Sequence, residues 1–366
     1  MNGSDGNLFY AAFIPGLQNF IEQVIKERLS DVKIHKLLDG AVLFETDTSY
    51  DKLNFFCFNN IFACIDIAEE SHTKAQRRGD HKGNILNEHI NTAAEGIGNT
   101  SIIKNNSKNI QSFRIMVLNE NVPAAIDDRL RTQTESYIAR LSGLKVSRSL
   151  PDTEFWFLYR RDDNSKQNFS IFMKRLTLRS SWEKTLHKGE LPPPLAWTLC
   201  RLAELKHSNV VLDPFCGYGS IPEAAFKYFH ITNFIACDND SEAAKYSTAR
   251  FIKRKKNEFN FFRTDFVELP SLLEEKSIDV IVTDPPWGHF KENNEDDFLE
   301  KMFEAFDKLL KDSGRAVVLY ANDENFVKAK PASFKLQEQI PILLSGKKAV
   351  IFTFKKNPLC LSALVP

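Results

Sequence analysis

Two adjacent prolines between an acid and an aromatic ring, Asp284-Pro285-Pro286-Trp287, form the segment with the clearest chemical meaning. The prolines fix φ and remove two backbone donors, which leaves carbonyl oxygens to face a ligand. A carboxylate and a proline carbonyl could then both accept from one NH₂ group, while the indole offers a flat face for a base. Two such acceptors aim the lone pair of a conjugated amine at a methyl donor, and positioning supplies most of the catalysis. These four residues therefore predict methylation of an amino nitrogen held in a planar group.

Acidic residues also end the three predicted strands that precede this segment. Asp213 ends the first strand, Asp238 the second and Asp265 the third. Ligands of open α/β sheets bind at the carboxyl ends of parallel strands, so these acids should meet at one edge. Gly217 and Gly219 follow the first acid and permit a tight turn close to a ligand. The set predicts a nucleoside cofactor whose ribose hydroxyls bind Asp238.

The chain from Trp182 onward alternates strands with helices, which predicts a doubly wound, largely parallel sheet. The predicted strands are Val210–Asp213, Phe234–Asp238, Phe259–Arg263, Val280–Thr283 and Ala316–Tyr320, and the predicted helices include Ser241–Lys256 and Asp297–Leu310. Phe334–Leu344 and Ala349–Phe354 flank Ser345-Gly346 as a hairpin that adds an antiparallel strand. A dinucleotide would also suit such a sheet, but the Asp-Pro-Pro-Trp segment after the fourth strand favours a methyl donor.

The first 180 residues predict two smaller units joined by a polar segment. A strand at Asn7–Phe13, a helical face from Leu17 to Leu29 and a hairpin around Asp39-Gly40 predict an α+β unit over residues 1–70. Residues 71–110 are rich in polar side chains and predict a linker or long loop, with a short helix near Ile85–Ile90 as the alternative. Residues 111–180 predict a strand, a helix and two more strands. Their bounds are Ser112–Leu118, Pro123–Leu144, Phe155–Tyr159 and Phe169–Leu178.

Charge is balanced over the whole chain, with 48 basic and 48 acidic residues, but not along it. Residues 101–200 hold 16 basic and 10 acidic residues, a net of +6. Such a segment indicates a nucleic-acid footprint, with an ordinary solvated surface as the alternative. We predict RNA contacts at Arg140, Lys174, Arg175 and Arg179.

The six cysteines form no Cys-x-x-Cys pair and, with the eight histidines, no set of zinc ligands. No apolar run approaches the roughly 20 residues of a membrane span. These observations predict a reduced, cytoplasmic protein with no structural metal and no membrane attachment.

Three motifs together resemble those of the THUMP-domain RNA guanine-N2 methyltransferases. They are Asp284-Pro-Pro-Trp, Asp213-Pro-Phe-Cys-Gly-Tyr-Gly-Ser and Lys188-Gly-Glu-Leu-Pro-Pro-Pro-Leu-Ala. The resemblance is specific in the carboxyl-terminal half and rests on the order of elements before residue 180. It implies a ferredoxin-like α+β unit over residues 1–70 and a THUMP-like RNA-binding domain over 111–180. A Rossmann-like, seven-stranded class I methyltransferase domain with an antiparallel last strand is implied over 181–366.

The resemblance also implies S-adenosylmethionine as the cofactor and assigns its contacts. The implied contacts are the loop of Asp213, Pro214, Phe215, Cys216, Gly217 and Gly219, the ribose site of Asp238 and Asn239, and the adenine site of Asp265 and Phe266. Two features depart from the family pattern. Tyr218 stands where a Ser or Thr is usual, and the stretch from Ser220 to Ala225 is one residue shorter than usual.

The expected activity is the formation of N2-methylguanosine in RNA, with transfer RNA as the expected substrate. N6-adenine methylation of DNA or RNA is the alternative among enzymes, because the same loop chemistry serves both amines. A catalytically silent RNA-binding partner of another methyltransferase is the alternative from a different class, and four strand-end acids speak against it. A protein-glutamine methyltransferase is a more distant alternative. Whether a small activating protein subunit is required is left open by the sequence.

Overall fold

The computed structural model describes residues 6–50, 52–53, 55–71, 84–94, 100–104, 109–120, 122–162, 167–176, 186–255, 257–287, 295–321 and 324–357. The chain divides into two compact units. Unit 1 comprises Met1–Phe13 and Gln18–Ser181, and unit 2 comprises Ile14–Leu17 and Trp182–Pro366.

Unit 1 is built around one sheet. Its strands are β1 (Asn7–Ala12), β2 (Lys33–Leu38), β3 (Ala41–Thr46), β4 (Asn60–Ser71), β5 (Ser112–Asn119), β6 (Val122–Pro123), β7 (Lys145–Val146), β8 (Thr153–Asp162) and β9 (Gln167–Arg175). Its helices are α1 (Gln18–Arg28), α2 (Asn84–Ala94), α3 (Thr100–Ile103) and α4 (Asp128–Ser142). The strand order is β2-β3-β1-β4-β9-β8-β5-β6, with β7 beside β5.

The two predicted amino-terminal domains share this sheet. Strand β4 pairs with β1 on one side and with β9 on the other, both in antiparallel register. Its twelve residues are long enough to serve both neighbours. The sheet is therefore continuous across the two predicted amino-terminal domains, because β4 pairs with one strand from each.

Residues 71–110 differ from the predicted linker in two stretches, which form α2 and α3. Leu86 and Ile90 lie four residues apart on one face of α2, and both are buried. Ile102 and Ile103 of α3 are buried as well. His89 lies beside them, bonded to Asp66 at 3.2 Å. The polar composition of the segment misled the prediction, because the few apolar residues share one helical face and pack on the sheet.

Helix α4 is shorter than the predicted Pro123–Leu144. Pro123 pairs with Leu118 in the sheet, and the helix begins only after Asp127, whose carboxylate accepts from two amides of the first turn. It ends at Gly143, which has a φ of 73°.

Unit 2 contains a seven-stranded sheet. Its strands are β10 (Val210–Asp213), β11 (Asn233–Cys237), β12 (Phe259–Phe262), β13 (Ile278–Thr283), β14 (Leu310–Ala321), β15 (Phe334–Leu344) and β16 (Lys347–Lys356). Its helices are α5 (Pro193–Leu202), α6 (Ser220–Phe229), α7 (Ser241–Arg250), α8 (Leu269–Leu272), α9 (Glu295–Leu309) and α10 (Glu324–Lys328), with a 3₁₀ turn at Phe266–Glu268.

The strand order in unit 2 is β12-β11-β10-β13-β14-β16-β15. All pairs from β12 to β14 are parallel, and β16 runs antiparallel to both β14 and β15. This arrangement confirms the predicted Rossmann-like methyltransferase fold with its antiparallel last strand. It also places the ends of β10, β11, β12 and β13 along one edge of the sheet.

Candidate active site

A cleft of about 840 Å³ lies at this edge of the unit 2 sheet. All the residues predicted to bind the cofactor or to act in catalysis line it, with one exception, Gly219. The rest of the described lining comes from the segment before α5, from Phe298 and from other residues of unit 2. These residues are Leu186, His187, Gly189, Glu190, Leu191, Pro192, Tyr218, Ser220, Ile221, Thr264, Phe298, Leu344, Ser345 and Lys347. The structure therefore brings residues as far apart in the sequence as Leu186 and Lys347 into one cavity.

Asp213, at the end of β10, is completely buried. Its Oδ1 accepts from the Thr283 hydroxyl at 2.7 Å and from the Phe215 amide at 3.2 Å. Its Oδ2 has no hydrogen-bond partner among the described residues. Burial raises the pKa of this carboxyl to about 8; the two hydrogen bonds oppose the shift, and the negative charges of Asp238 and Asp284 reinforce it. A cationic ligand in the cleft would relieve this cost.

The two loop glycines have different tasks. Gly217 has a φ of 53°, and its amide donates to Oδ2 of Asp238 at 2.7 Å. Gly219 has a φ of 87° and does not line the cleft. A Cβ at Gly219 would lie 2.8 Å from a ring carbon of Phe251, so this glycine lets α6 and α7 pack closely. The described lining of the cleft does not include Gly219, and its contact with the cofactor stays a prediction.

Asp238 directly follows β11 and accepts two backbone hydrogen bonds, from the amide of Gly217 and, at 2.9 Å, from that of Asp240. Burial raises its pKa above the usual range, although the two bonds oppose that shift. Each carboxylate oxygen keeps a second lone pair for a ligand hydroxyl. The geometry suits the predicted ribose acceptor, because the same side chain also shapes the glycine loop.

Asn239, Phe215 and Phe298 lie beside Asp265 and Phe266, the two residues predicted to bind adenine. Asn239 donates to Oδ2 of Asp265 at 3.3 Å, which joins the second and third strand ends. The Phe266 ring lies 4.9 Å from Phe215 and 5.3 Å from Phe298, between centroids. Phe298 was missed by the sequence analysis, since an aromatic residue on an amphipathic helix looks like any core residue.

The loop after β13 fixes the acid and the aromatic residue against each other. The Trp287 indole N–H donates to Oδ1 of Asp284 at 2.9 Å. Burial raises the pKa of Asp284 to about 7, and the bond from Trp287 opposes this shift. No described residue donates to Oδ2 of Asp284, so this oxygen can accept from a ligand. Thr283, one residue earlier, donates to Asp213 and thereby links the loop of Asp284 and Trp287 to the loop that follows β10.

Tyr218, the departure from the family pattern, is accommodated by stacking. Its ring lies 4.1 Å from that of His187 at an interplanar angle of 6°, and Tyr246 meets His187 edge-on. Arg250 donates to the Tyr218 carbonyl at 2.9 Å and to Glu190 at 3.0 Å. The Tyr218 ring, which is larger than the usual Ser or Thr, therefore packs on His187 in the segment before α5. It does not fill the space inside the glycine loop.

Two of the four residues predicted to contact RNA, Lys174 and Arg175, lie within the sheet of unit 1. Arg175 is buried and pairs with Glu154 at 3.1 Å. Lys174 donates to the Ile102 carbonyl at 3.2 Å, and burial lowers its pKa. Strand β9 lies inside the sheet, between β4 and β8, where Arg175 is buried and Lys174 is half-buried. Arg140 is exposed on α4, and Arg179 lies outside the described residues.

Comparison with known proteins gives the class of this site. Residues 180–340 match the family model described as UPF0020, the RMKL-like methyltransferase domain. Most of unit 2 is therefore similar to a methyltransferase domain, and its sheet has the class I strand order described above. No helix in the described part of the chain is long and apolar enough to cross a membrane.

Similar whole proteins confirm the resemblance to the THUMP-containing guanine-N2 methyltransferases. The U6 snRNA (guanine-N(2))-methyltransferase THUMPD2 of Bos taurus is 27% identical over 205 residues, 53% of this chain and 39% of that protein. The tRNA (guanine(10)-N2)-dimethyltransferase of Methanocaldococcus jannaschii is 26% identical over 254 residues, 64% of this chain and 69% of that protein. The chain thus spans about two fifths of the bovine relative.

A solved structure shows the same fold over nearly the whole chain. TrmN from Thermus thermophilus superposes with a TM-score of 0.74 at 20% identity, covering 96% of this chain and 99% of its own. The likeness includes unit 1 as well as unit 2, since it extends over almost all residues of both.

Proposed function

We propose that this protein transfers a methyl group from S-adenosylmethionine to the N2 amine of a guanosine in RNA, with transfer RNA as the substrate. The observation that carries the proposal is the pair formed by Asp284 and Trp287, joined at 2.9 Å in the cleft that Asp213 and Asp238 also line. The names of the relatives point to guanine N2 in transfer RNA and in U6 snRNA.

The residues of the cleft fit S-adenosylmethionine chemically. Asp238 and Asp265 give the cleft a negative charge that suits a sulfonium and an ammonium group, and a bound cation would favour the ionised form of Asp213. The buried Oδ2 of Asp213 has no described partner and could accept from the loop or from a ligand. Asp238 would hold the ribose, and Asp265 with Phe266 the adenine. When bound, the cofactor supplies an electrophilic methyl group.

Asp284 can act on the target amine in two ways. Its free Oδ2 accepts from the NH₂ group and turns the nitrogen lone pair toward the methyl carbon. As the N–C bond forms and the S–C bond breaks, the nitrogen becomes cationic and must lose a proton. A carboxylate with a pKa of about 7 can take that proton at neutral pH. Trp287 meanwhile stacks on a base taken out of its helix.

Nucleoside analysis tests this function and separates it from its rivals. Purified protein is incubated with labelled S-adenosylmethionine and either unmodified transfer RNA transcripts or U6 snRNA transcripts, and the digested RNA is analysed by mass spectrometry. We expect N2-methylguanosine from transfer RNA. Exclusive N6-methyladenosine would replace guanine with adenine as the target. Cofactor binding without transfer to either RNA would favour a silent partner.

A further inference from the structure

The cleft in unit 2 poses an electrostatic problem for an RNA substrate. Five carboxylates line its described part: Glu190, Asp213, Asp238, Asp265 and Asp284. Among the described lining residues, Lys347 is the single lysine or arginine. A polyanion that places a base in this cleft brings its phosphates toward the acids, and like charges repel. A positively charged side chain at the rim of the cleft is therefore needed to bind the phosphate.

Lys347 is held at this rim by a tight turn. It is the first residue of β16 and pairs with Leu344, the last residue of β15. The two residues between them, Ser345 and Gly346, have φ values of 49° and 81°, as a two-residue turn of type I′ requires. Leu344 and Ser345 line the cleft as well. The tip is short and well defined, so the lysine is presented from a fixed position.

The hairpin is also braced from outside. The Leu343 amide donates to the Pro15 carbonyl at 3.1 Å, within unit 2. Gly16, with a φ of 98°, packs so closely that a Cβ would lie 2.0 Å from the Pro341 carbonyl oxygen. A hairpin fixed in this way loses little entropy when it binds a ligand.

The charge of Lys347 is available for a ligand. Its side chain is exposed, and no described acid lies within ion-pair distance of it. Some lysines of unit 2 are instead held in ion pairs, such as Lys311 with Asp279 at 2.7 Å and Lys356 with Asp307 at 3.2 Å. The charge of Lys347 at the rim of the acidic cleft is not used in an ion pair with any described residue.

We propose that Lys347 binds the RNA phosphate next to the target nucleotide and so allows the base to enter the acidic cleft. The inference rests on the proposed function in that it takes RNA as the substrate. A nucleotide turned out of its helix carries its base into the site while its phosphates stay at the entrance. The lysine would therefore contribute to RNA binding and not to the chemical step.

The neighbouring lysine provides a matched control. Lys348 has the same charge and is also exposed, but it does not line the cleft, and side chains alternate between the two faces of a strand. Binding of unmodified transfer RNA transcripts is measured by fluorescence anisotropy over a range of salt concentrations. The proteins compared are the wild type, Lys347→Ala, Lys347→Arg and Lys348→Ala, each with S-adenosylmethionine affinity measured by calorimetry.

We expect Lys347→Ala to weaken RNA binding about fivefold to tenfold near 0.1 M salt and to reduce the slope of log K against log salt by about 1. KM for RNA should rise by a similar factor while kcat stays close to wild type. Lys347→Arg should restore binding, and cofactor affinity should not change. Lys348→Ala should have a clearly smaller effect.

Equal effects of Lys347→Ala and Lys348→Ala, or no effect of either, would overturn the proposal. The binding measurement needs no turnover, so it is independent of the modified nucleoside. Wild-type protein that binds RNA through Lys347 but forms no N2-methylguanosine would refute the proposed function and leave the phosphate site standing. The reverse outcome, normal product with no role for Lys347, would refute only the phosphate site.

Discussion

Each unit of the molecule contains a carboxylate that accepts a hydrogen bond from an indole, and the two carboxylates behave in opposite ways. In unit 1, Trp156 donates to Glu154 at 2.9 Å; in unit 2, Trp287 donates to Asp284 at the same distance. Burial alone would raise the pKa of Glu154, but the bond from Trp156 and the charges of Arg114 and Arg175 bring it below the usual range. Burial raises the pKa of Asp284 to about 7, with no arginine to oppose it.

We interpret this difference as that between a carboxylate that stabilises the fold and one that is available for a ligand. Glu154 forms ion pairs with two arginines of the sheet, Arg114 and Arg175, so its ionised form stabilises the fold. Asp284 has one indole bond and an uncompensated charge, which costs the folded protein stability and keeps an acceptor available for a ligand. A hydrogen bond from an indole therefore does not by itself define the role of a carboxylate. That role depends on whether cationic side chains lie beside it.

The largest expected effect is on stability, at Glu154. Glu154→Ala should lower the free energy of unfolding by about 3–5 kcal/mol, because it removes one partner from a buried ion pair with Arg175. Chemical denaturation measures the loss. Asp312→Ala, which breaks the exposed pair with Lys276, is the control and should leave the stability close to that of the wild type. A Glu154→Ala protein as stable as this control would remove the structural half of the comparison.

A smaller effect is expected at Asp238, on the cofactor side of unit 2. Asp238→Ala should weaken S-adenosylmethionine binding by about 1–3 kcal/mol, since charge-assisted hydrogen bonds to the ribose are lost. Isothermal calorimetry measures the affinity, with Asp312→Ala again as the control. Unchanged affinity would show that the strand-end acid shapes the glycine loop without touching the cofactor.

Trp287 should affect substrate capture more than the cofactor. Trp287→Ala should weaken binding of the target base by about 1–3 kcal/mol, and Trp287→Phe should be much milder, because stacking needs only a flat ring. KM for transfer RNA and S-adenosylmethionine affinity, measured on both variants, distinguish the two roles. Equal losses for Phe and Ala would mean that the indole hydrogen bond to Asp284, and not stacking, is what matters.

The smallest expected effect is on the pH profile. Asp284 must be ionised to accept from the amine, and its pKa of about 7 lies above the usual value. Its ionised fraction therefore increases as pH rises through 7, and the single-turnover rate should increase about twofold from pH 7 to 8 and fall steeply below pH 6.5. Asp284→Ala should abolish this limb of the profile. A limb that survives in this variant would assign the titration to another group, such as Asp213.

The sequence could predict the unit 2 sheet and its strand-end acids because both depend on local signals. Apolar strands followed by Asp213, Asp238, Asp265 and Asp284 repeat along the chain, and a parallel sheet must bring their ends together. Thr283 could not be recognised, since a threonine in a buried strand is ordinary until its hydroxyl is seen 2.7 Å from Asp213.

Unit 1 was harder to predict because its decisive interactions are long-range. Nothing in the sequence of β4 indicates that both of its edges are paired, and this pairing joins two predicted units into one sheet. The burial of Arg175 likewise depends on Glu154 and Arg114, which come from neighbouring strands. Counting basic residues cannot distinguish such an arginine from one at the surface.

The measurement that tests the central claim most directly is the single-turnover rate of Asp284→Ala on transfer RNA with labelled S-adenosylmethionine, beside calorimetry of cofactor binding. We predict a rate at least about 10²-fold below wild type, as for the loss of other preorganised transition-state groups, with cofactor affinity nearly unchanged. A near-normal rate would contradict the account, because an uncompensated carboxylate that does not hold the amine has no part in the reaction.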